Sequence, residues 1–371
     1  MTIALYASQL APTGPTGIHR YVTEIARTLL AIVPERYTMV ASAEDAPPVW
    51  FPSDLPVTRL PGPRRALHLA WYLARRPRIE RFIGDTDLVH VLSPTFPVPS
   101  RAPIVYTIHD LQHIDDAGAF RTREARIGAA ALRDAARRAR RIITVSGAVA
   151  ERTVERLGVD RGRITVVHHG IAERFHRGVS EDLVRAVTTR YGLEPRDYFL
   201  YVGKVEDRKN VGTVVRALAE RGPGPRLVVT GPAGFGVENV TAAIERLGLT
   251  GEVILTGHVP DGDLLPMMAG ATALVHPSEF EGFGFTPLEA MALGTPTIAS
   301  RAGSLPEVLG DAALLLAPRD VTAWANAMSR LERDAAYATE LAEKGRRHAS
   351  RFTWERAARE TAAVHDAAMS G

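Results

Sequence analysis

Short apolar runs and longer amphipathic segments alternate along most of the chain. The run "TIALYA" is followed by a loop and then by "IHRYVTEIARTLLAIV", whose apolar positions recur on one helical face, namely Ile18, Tyr21, Val22, Ile25, Ala26 and Leu29. The later runs "YTMVAS", "LVHVLS", "IVYTIHD" and "IITVS" predict strands, and helices are predicted around 64–82 and 121–140. Strands that alternate with helices are typical of a parallel sheet covered on both faces.

The alternation ends at "ITVVHHGIAERF", near Gly170, and then begins again. "YFLYVGKV" opens a second series, with a helix from about Val211 and five more predicted strands in "RLVVTGPAG", "VILTGHV", "ATALVHPS", "TPTIASRAG" and "AALLLAP". The sequence therefore predicts two doubly wound α/β domains, residues 1–172 and 173–353, followed by a helix over 354–371 with Thr353 as its N-cap. Ligands of such open sheets bind beyond the carboxyl ends of the strands, so we expect a site between the two domains.

The composition is that of an ordinary globular protein, since 46% of the 371 residues are hydrophobic and 23% are charged. Cysteine is absent, which excludes disulfides, thiolate metal sites and cysteine nucleophiles. The start, "MTIALYASQLAP", lacks the basic and long apolar regions of a signal peptide, and no apolar stretch is long enough to span a bilayer. We therefore expect a soluble, cytoplasmic protein.

Positive charge is concentrated in the first half of the chain. Between Arg64 and Arg141, fifteen arginines stand against eight acidic residues, a local charge of +7 in a chain whose net charge is +3. Solvated helix faces are the favoured interpretation, because most of these arginines recur at helical spacing. The second is that this domain docks a lipid-linked or phosphorylated acceptor at a membrane surface, because Trp71, Tyr72 and Phe82 lie among the arginines.

The stretch "EGFGFTPLEAM" admits a structural and a chemical interpretation. Thr286 as N-cap, Pro287 at the first helical position and Glu289 three residues after the cap would form a capping box, and Gly294 would end the helix. The glycines before it would also let a ligand approach the backbone, where the N–H groups of a helix start attract anions. The Glu281 carboxylate is suited instead to accept hydrogen bonds from hydroxyl groups. Backbone donors for phosphate oxygens beside an acceptor for hydroxyls are what a nucleotide sugar requires.

Two further segments carry candidate chemistry at the ends of predicted strands. In "YVGKVEDRKN", the cations Lys204, Arg208 and Lys209 follow a buried strand and suit a diphosphate, although no Walker-type loop is present. In "YTIHDLQHI", His109 and Asp110 follow a strand of the first domain. They are either a catalytic pair or a structural one, in which the residues serve as a cap and a core histidine.

The remaining candidates are a loop and a pair of histidines. The segment "APTGPTGIH", with Gly14 and Gly17, fits a loop that approaches a phosphate, but it is not a dinucleotide fingerprint. His168 and His169, at the domain junction, are interpreted as hinge packing. With no cysteine and few histidine clusters, no metal site is predicted.

These motifs together resemble the family 4 retaining glycosyltransferases of the GT-B architecture, also called glycosyl transferases group 1. The segment "HPSEFEGFGFTPLEAMALGTPTIASRAGSLPEVLGDAALLLAP" carries the family's two glutamates with seven residues between them, Glu281 and Glu289. "YVGKVEDRKN", "LTGHVPDGDL", "TIHDL", "IITVS" and "FTWERAA" match in order and spacing, so that the resemblance covers nearly the whole chain.

The resemblance implies a role for each matching residue. Glu281 would bind hydroxyls of the donor sugar and Glu289 those of the ribose, while Lys209, with either Lys204 or Arg208, would neutralise the diphosphate. His109 would lie near the reacting sugar, and Glu281, Lys209, Arg208 and His109 are the predicted catalytic residues. The other predicted donor-binding residues are Gly17, Gly203, Gly231, His258, Val259, Gly282, Phe283, Gly284, Phe285 and Thr286. The final helix would cross back onto the first domain, and neither a cofactor nor a metal is expected.

The leading hypothesis is transfer of a hexose from a nucleotide-diphosphate sugar, with GDP-mannose as the first guess, to a saccharide, lipid-linked or small-molecule hydroxyl. A nucleotide-sugar epimerase or hydrolase on the same fold is the alternative, and it would need water or a base where the transferase has an acceptor pocket. A non-catalytic sugar-binding protein is a third, but it predicts an export signal and no phosphate-binding cations. No nucleic-acid partner is expected, and the acceptor, the linkage and the oligomeric state stay open.

Overall fold

The computed structural model describes residues 1–7, 17–42, 57–93, 96–111, 114 and 123–370, without the side chains of 123–125. The predicted glycine loop around Gly14 lies outside the described residues. The chain divides into two compact units, Met1–Gly170 with Thr353–Gly371 (unit 1) and Ile171–Phe352 (unit 2). Each unit contains its own parallel sheet, so the prediction of two α/β domains is confirmed.

Unit 1 is built on a seven-stranded parallel sheet in the order β3-β2-β1-β4-β5-β6-β7. The predicted apolar runs form its central strands, and the backbone polar groups are paired along the ladder while the side chains are buried on both faces. The short edge strand β3 has the sequence VTRL with an exposed arginine, and its pattern had not predicted a strand. The strands are β1 Ile3–Ala7, β2 Tyr37–Ser42, β3 Val57–Leu60, β4 Leu88–Val91, β5 Ile104–Ile108, β6 Arg141–Thr144 and β7 Ile164–Val166.

The helices of unit 1 are α1 Gly17–Ile32, α2 Arg64–Ala74, α3 Glu80–Ile83, α4 Arg123–Arg138 and α5 Gly147–Leu157. The helical region predicted around 64–82 is present as two helices, α2 and α3, because α2 ends before Arg75, whose φ of 56° lies in the left-handed region. The predicted surface role of Trp71 is wrong. Its side chain is fully buried, donates its indole N–H to the Pro77 carbonyl at 2.8 Å and packs edge-on against Tyr6.

Unit 2 contains a six-stranded parallel sheet in the order β10-β9-β8-β11-β12-β13. Its strands are β8 Tyr198–Val202, β9 Arg226–Thr230, β10 Val253–Gly257, β11 Ala273–His276, β12 Thr297–Ser300 and β13 Leu314–Leu316. Its helices are α6 Glu181–Arg190, α7 Val211–Arg221, α8 Val237–Arg246, α9 Asp261–Gly270, α10 Phe285–Leu293, α11 Leu305–Leu309, α12 Val321–Arg333 and α13 Ala335–Ala349. The apolar faces of α7, α8 and α12 bury Val215, Ile244 and Trp324 against this sheet.

The last helix, α14 Trp354–Ser370, belongs to unit 1 although it follows unit 2 in the chain. The predicted N-cap is confirmed, since the Thr353 hydroxyl accepts a hydrogen bond from the Arg356 N–H at 3.2 Å. In the second half of the helix, His365 is buried, and its Nε2 lies 2.9 Å from Nδ1 of His90. The other ring nitrogen of His90, Nε2, lies 2.8 Å from the Thr107 hydroxyl. A continuous polar chain thus ties α14 to β4 and β5.

Gly170 explains how the first turn of α14 lies so close to the end of unit 1. A Cβ atom at this position would overlap the backbone of Thr353 and the amide nitrogen of Trp354. Backbone atoms cannot move aside as a flexible side chain can, so only glycine allows this approach.

We predict that Gly170→Ala destabilises unit 1 by about 2 kcal/mol, because the added methyl group forces α14 away from its seat. Gly128→Ala is the matched control, since a Cβ atom there, within α4, meets nothing within 4 Å. The control is expected to be neutral or stabilising by up to about 1 kcal/mol. Urea unfolding followed by circular dichroism measures both, and an unchanged midpoint for Gly170→Ala would show that α14 is not held against this segment.

Candidate active site

The candidate active site of unit 2 lies where the strand order of its sheet reverses. The chain moves from β8 outward through β9 and β10, and then returns to place β11 on the other side of β8. The carboxyl ends of β8 and β11 are therefore neighbours, and their loops diverge into α7 and α10. This topological switch point is where open parallel sheets hold their ligands.

One buried ion pair joins the two loops. The Lys209 ammonium, at the end of a short 3-10 turn after β8, lies 2.7 Å from Oε1 of Glu281 in the loop after β11. The two side chains are only 15% and 13% exposed. Removing one partner would leave a buried charge without compensation, so the pair fixes the two loops against each other.

Glu281 is held at one oxygen and open at the other. His276, the last residue of β11, contacts the same Oε1 through Nε2 at 2.9 Å. Burial alone would raise the pKa of the Glu281 carboxyl, but the Lys209 ammonium and then the His276 hydrogen bond hold that pKa well below its usual range. Oε2 has no hydrogen-bond partner among the described residues, so one oxygen of an ionised carboxylate is left to accept further hydrogen bonds.

Arg208 and Lys204, the two candidates for a second phosphate-binding cation, differ in their bonds. Arg208 is half-buried and donates to the Phe280 carbonyl at 2.5 Å and to Glu206 at 3.0 Å. Lys204 is 54% exposed, and its nearest acidic group, that of Glu206, is 3.5 Å away. Arg208 therefore supports the loop after β11 that carries Glu281, whereas the Lys204 ammonium stays accessible to a ligand.

Two further contacts fasten these loops. The Asn210 side-chain amide donates to the carbonyls of Pro277 and Pro318, at 3.2 and 2.7 Å, from a backbone in the left-handed region. The backbone N–H of Ser304, in the loop after β12, bonds the Glu281 carbonyl at 3.1 Å. Loops after the neighbouring strands β8, β11 and β12 are thus hydrogen-bonded to one another, and Asn210 also ties them to the segment after β13.

Helix α10 does not begin where the sequence predicted. Gly284 is its N-cap, with φ at 96° and no side-chain capping bond, and the first helical residue is Phe285. The predicted capping box is therefore wrong, because Thr286 and Pro287 already lie inside the first turn and Glu289 follows in the second. A Cβ atom on Gly284 would lie 2.6 Å from Leu305, so this start requires glycine. The predicted helix end at Gly294 is confirmed.

Glu289 is 4% exposed within α10, and the Gly282 backbone is half-buried at the loop. Phe283 is buried against Phe285 and Phe352, with ring centroids 5.2 and 6.1 Å away. These ring contacts hold the loop in place, so the side chain of Phe283 packs the loop and does not face a ligand. The half-buried Phe285 and Thr286 stand at the amino end of the helix, as predicted for an anion site.

The other predicted donor-binding residues of unit 2 follow the neighbouring strands. Gly203 directly follows β8 and Gly231 directly follows β9, and the two lie so close together that a Cβ atom on Gly231 would overlap the Gly203 carbonyl. The Gly231 N–H also bonds the Gly257 carbonyl at 2.8 Å, just before His258 and Val259. His258 is exposed and Val259 is buried, so of this pair His258 presents its side chain.

The remaining predicted residues, His109 and Gly17, belong to unit 1. Gly17 is the exposed first residue of α1. His109 is buried after β5, and its Nε2 donates to the Leu92 carbonyl at 2.8 Å, because a carbonyl only accepts. Burial lowers the pKa of His109, so the ring is neutral at pH 7 with Nδ1 unprotonated.

His169 lies in a packed cluster and not in a site of its own. Its ring is buried between those of Tyr21 and Trp354, at 4.7 and 5.8 Å, and His109 lies 5.6 Å away. Burial keeps the pKa of His169 well below its ordinary value. This arrangement agrees with the packing interpretation of the residue.

Sequence reasoning missed His276 and Asn210. His276 ends an apolar run in "ALVHPS", as His109 does in "YTIHD", and the same argument about strand ends would have selected it. Asn210 is the residue between the two cations and α7, where a left-handed asparagine commonly ends a turn. Neither sequence signal shows which residues His276 and Asn210 contact in the folded protein.

Comparison with known proteins agrees with this geometry. Residues 190–348 match the model of the family "Glycosyl transferases group 1", and residues 15–174 match that of "Glycosyltransferase Family 4". A D-inositol 3-phosphate glycosyltransferase of Acidothermus cellulolyticus is 30% identical over 393 residues, 95% of this chain and 86% of its own length.

The chain belongs to the family 4 group of glycosyltransferases. The O-antigen chain mannosyltransferase B of Escherichia coli is 34% identical over 180 residues, about half of either chain (47% of each). Among solved structures, HepE of Anabaena in complex with UDP and glucose superposes with a TM-score of 0.75 at 20% identity, covering 99% of this chain and 100% of that one. The predicted GT-B glycosyltransferase fold of two Rossmann-like domains is thereby confirmed, and the chain is a transferase enzyme.

The described residues contain neither a membrane-spanning helix nor a cluster of metal ligands. No helix among them is long and apolar enough to cross a bilayer. Across the same described ranges, no group of three or more His, Asp or Glu side chains is placed to hold a metal ion.

We predict that Glu281→Gln lowers the stability of unit 2 by about 3 kcal/mol at pH 7, because Lys209 is left as a buried, uncompensated cation. The pKa of Glu281 is lowered on folding, so its contribution is complete above pH 4.5 and is lost as the pH falls below that value. The difference between wild type and variant should therefore shrink on acidification, measured as urea midpoints from about pH 7 to about pH 3.

Glu279→Gln is the control for this experiment. Glu279 forms a comparable ion pair with Arg319 at 2.6 Å, but that arginine is 78% exposed, and exposed pairs contribute little. A Glu281→Gln variant that matches this control at every pH would show that the buried pair does not hold the loops.

Proposed function

We propose that the protein is a retaining hexosyltransferase that moves a sugar from a nucleotide-diphosphate sugar to an acceptor hydroxyl. The observation that carries the proposal is the arrangement of Lys209, Glu281 and His276, in which one carboxylate oxygen is fixed and the other is open. Cationic groups for a diphosphate and an acceptor for sugar hydroxyls then stand at the same strand ends. The family shown above supports the reaction class, and the donor, the stereochemistry and the acceptor belong to the proposal.

The reaction develops negative charge on the departing diphosphate. The Lys209 ammonium has three N–H donors and uses one for Glu281, so two remain for phosphate oxygens. Lys204 is accessible and adds a second positive charge, while Arg208 mainly holds the loop. Stabilising the charge that appears as the bond breaks lowers the barrier more than binding the ground state.

Two glutamates would hold the donor's hydroxyl groups. Oε2 of Glu281 accepts hydrogen bonds from the transferred sugar, and the depressed pKa keeps this oxygen ionised at pH 7. Glu289, buried in the second turn of α10, would meet the ribose. The Phe285 and Thr286 N–H groups at the start of this helix would add backbone donors for the phosphates.

Retention follows if the acceptor attacks the same face that the phosphate leaves. The bond between the anomeric carbon and the phosphate oxygen breaks, and the acceptor oxygen forms the new bond to that carbon. The acceptor's proton passes to the departing phosphate oxygen. No protein carboxylate is assigned as a nucleophile, because the acceptor oxygen itself forms the new bond to the anomeric carbon.

A metal ion is not needed in this proposal. Lys209 and Lys204 supply the positive charge that a divalent cation supplies elsewhere, at the same end of β8. Turnover should therefore survive removal of divalent ions with a chelator. In the same scheme, unit 1 binds the acceptor, with the neutral Nδ1 of His109 near the reacting sugar.

GDP-mannose is the proposed first donor. Its support is the E. coli relative, which is named a mannosyltransferase. The likeness to HepE shows the fold alone, so the UDP and glucose bound there do not identify the donor of this protein. UDP-glucose is therefore an alternative donor to be tested. The acceptor class is a saccharide or a lipid-linked sugar.

We predict that the wild type transfers a hexose from one of GDP-mannose, UDP-glucose and dTDP-sugars, and that the product keeps the donor's anomeric configuration. Lys209→Met should lower kcat at least about a hundredfold, because it removes charge stabilisation that is needed most in the transition state. Thermal-shift screening selects the nucleotide, and chromatography with NMR identifies the product with and without acceptor.

Lys344→Met is the control, since Lys344 forms an exposed ion pair with Asp311 at 2.7 Å and should leave kcat unchanged. Release of free sugar at the same rate with and without acceptor would favour a hydrolase. An inverted product would refute same-face attack, and full activity of Lys209→Met would refute the assigned charge role.

We also propose that unit 1 touches a membrane through the outer face of α2. Leu69 and Leu73 are 52% and 70% exposed, stand four residues apart, and follow the exposed Arg65 on the same helical face. Apolar side chains beside arginines favour the interface of an anionic bilayer. This face replaces the one predicted around Trp71, which is buried.

The test of the membrane proposal is co-sedimentation with vesicles that contain anionic phospholipid. Leu69→Ser with Leu73→Ser should weaken binding at least about tenfold, because two apolar side chains no longer enter the interface. Ile32→Ser with Val33→Ser is the control, as these residues are also exposed in unit 1. Equal binding of both double variants would refute the role of α2.

A further inference from the structure

Unit 1 contains a large open cavity at the amino ends of β5 and β6. Its volume is about 1170 Å³, and its lining includes Ile104 and Arg141, the first residues of these strands. The candidate residue His109 follows the other end of β5. The cavity is therefore separate from the carboxyl edge of the sheet, where the proposed acceptor site lies.

Arginine dominates the wall of this cavity. No acidic side chain is among its lining residues, which all belong to the described part of unit 1. The lining arginines come from the end of α2, from the segment before β5, from the end of α4 and from the start of β6 and β7. They are Arg75, Arg78, Arg101, Arg137, Arg138, Arg140, Arg141 and Arg163.

Half of these arginines already have structural partners. Arg163 donates to carbonyls at the end of α4, including that of Ala136 at 3.0 Å, and Arg141 donates to the Gly162 carbonyl at 2.9 Å. Arg75 and Arg138 share the single carboxylate of Asp134, at 2.7 and 3.0 Å. These contacts are explained by the fold alone, since carbonyl-rich helix ends attract cations.

The other four arginines are not explained in this way. The side chains of Arg78, Arg101, Arg137 and Arg140 are exposed and form no hydrogen bond or ion pair within the described ranges. Four uncompensated guanidinium groups around one concavity repel each other unless a ligand or counter-ions neutralise them. Their charge therefore has no structural use that the fold reveals.

The wall that carries Arg101 is rigid. Oε1 of Glu80 accepts from the Ser100 hydroxyl and the Arg101 backbone N–H, both at 2.6 Å, and from the Ala102 N–H at 3.3 Å. Three prolines, at 97, 99 and 103, restrict the same segment. Oε1 of Glu80 is occupied by these three donors, and its hydrogen bonds order the loop.

We propose that this cavity binds a ligand with several phosphate groups. The guanidinium fork matches phosphate oxygens in pairs, which favours phosphate over a single diffuse charge. A volume of about 1170 Å³ exceeds what one phosphate ion fills, and the four open arginines can each contact a different group. The site is separate from the donor residues of unit 2, so it does not depend on the proposed transfer reaction.

Calorimetric titration of the full chain with tripolyphosphate, at about 0.15 M salt to screen nonspecific attraction, tests the proposal. Arg101→Gln with Arg140→Gln should weaken binding at least about tenfold, because two charge-assisted contacts are lost. Arg27→Gln with Arg359→Gln is the control, since it removes the same charge from exposed positions of unit 1 outside the cavity. Any tripolyphosphate bound by the cations of unit 2 is common to all these variants.

No binding by the wild type at millimolar tripolyphosphate, or equal loss in both double variants, would overturn the proposal. A second arm uses vesicles with a polyphosphorylated lipid headgroup. If the cavity variant loses vesicle binding while Leu69→Ser with Leu73→Ser retains part of it, the phosphate source is a lipid. Vesicle binding that the cavity variant keeps, alongside lost tripolyphosphate binding, assigns the cavity to a free polyphosphate.

Discussion

The buried ion pair between Lys209 and Glu281 is the constraint on which the candidate site depends. Its partners are 72 residues apart in the chain and meet only because β11 lies beside β8. Desolvating two charges is costly, and the third contact, from His276, helps offset that cost. The same contacts that hold the loops keep the carboxylate ionised and leave one oxygen open, so stability and chemistry come from one arrangement.

Four buried histidines of unit 1 are neutral, in contrast to the ionised Glu281 of unit 2. His90, His109, His169 and His365 are all buried, and desolvation lowers the pKa of each, that of His365 to about 3. These rings are therefore neutral donors and acceptors at pH 7. Glu281 of unit 2 stays ionised, whereas the neutral ring of His109 fits the proposed role of unit 1, which is to bind an uncharged acceptor hydroxyl.

The sequence predicted most of the fold because apolar runs and amphipathic segments follow the strands and helices closely. It failed where two local patterns competed. Thr286 and Glu289 have capping-box spacing, but Gly284 can take a left-handed backbone, and so α10 starts earlier. The ion pair was beyond prediction, since spacing along a chain does not show that Lys209 and Glu281 follow neighbouring strands, nor that Trp71 points inward.

The path of the chain at Gly170 has one further consequence. The chain leaves unit 1 after this glycine and re-enters it at Thr353, which touches the same glycine, while the Ile171 N–H bonds the Phe352 carbonyl at 2.9 Å. Unit 2 is thus an insertion whose two ends are hydrogen-bonded to each other. Domains with adjacent termini tolerate exchange, so residues 171–352 form a cassette that evolution or an engineer can replace without cutting the core of the host unit.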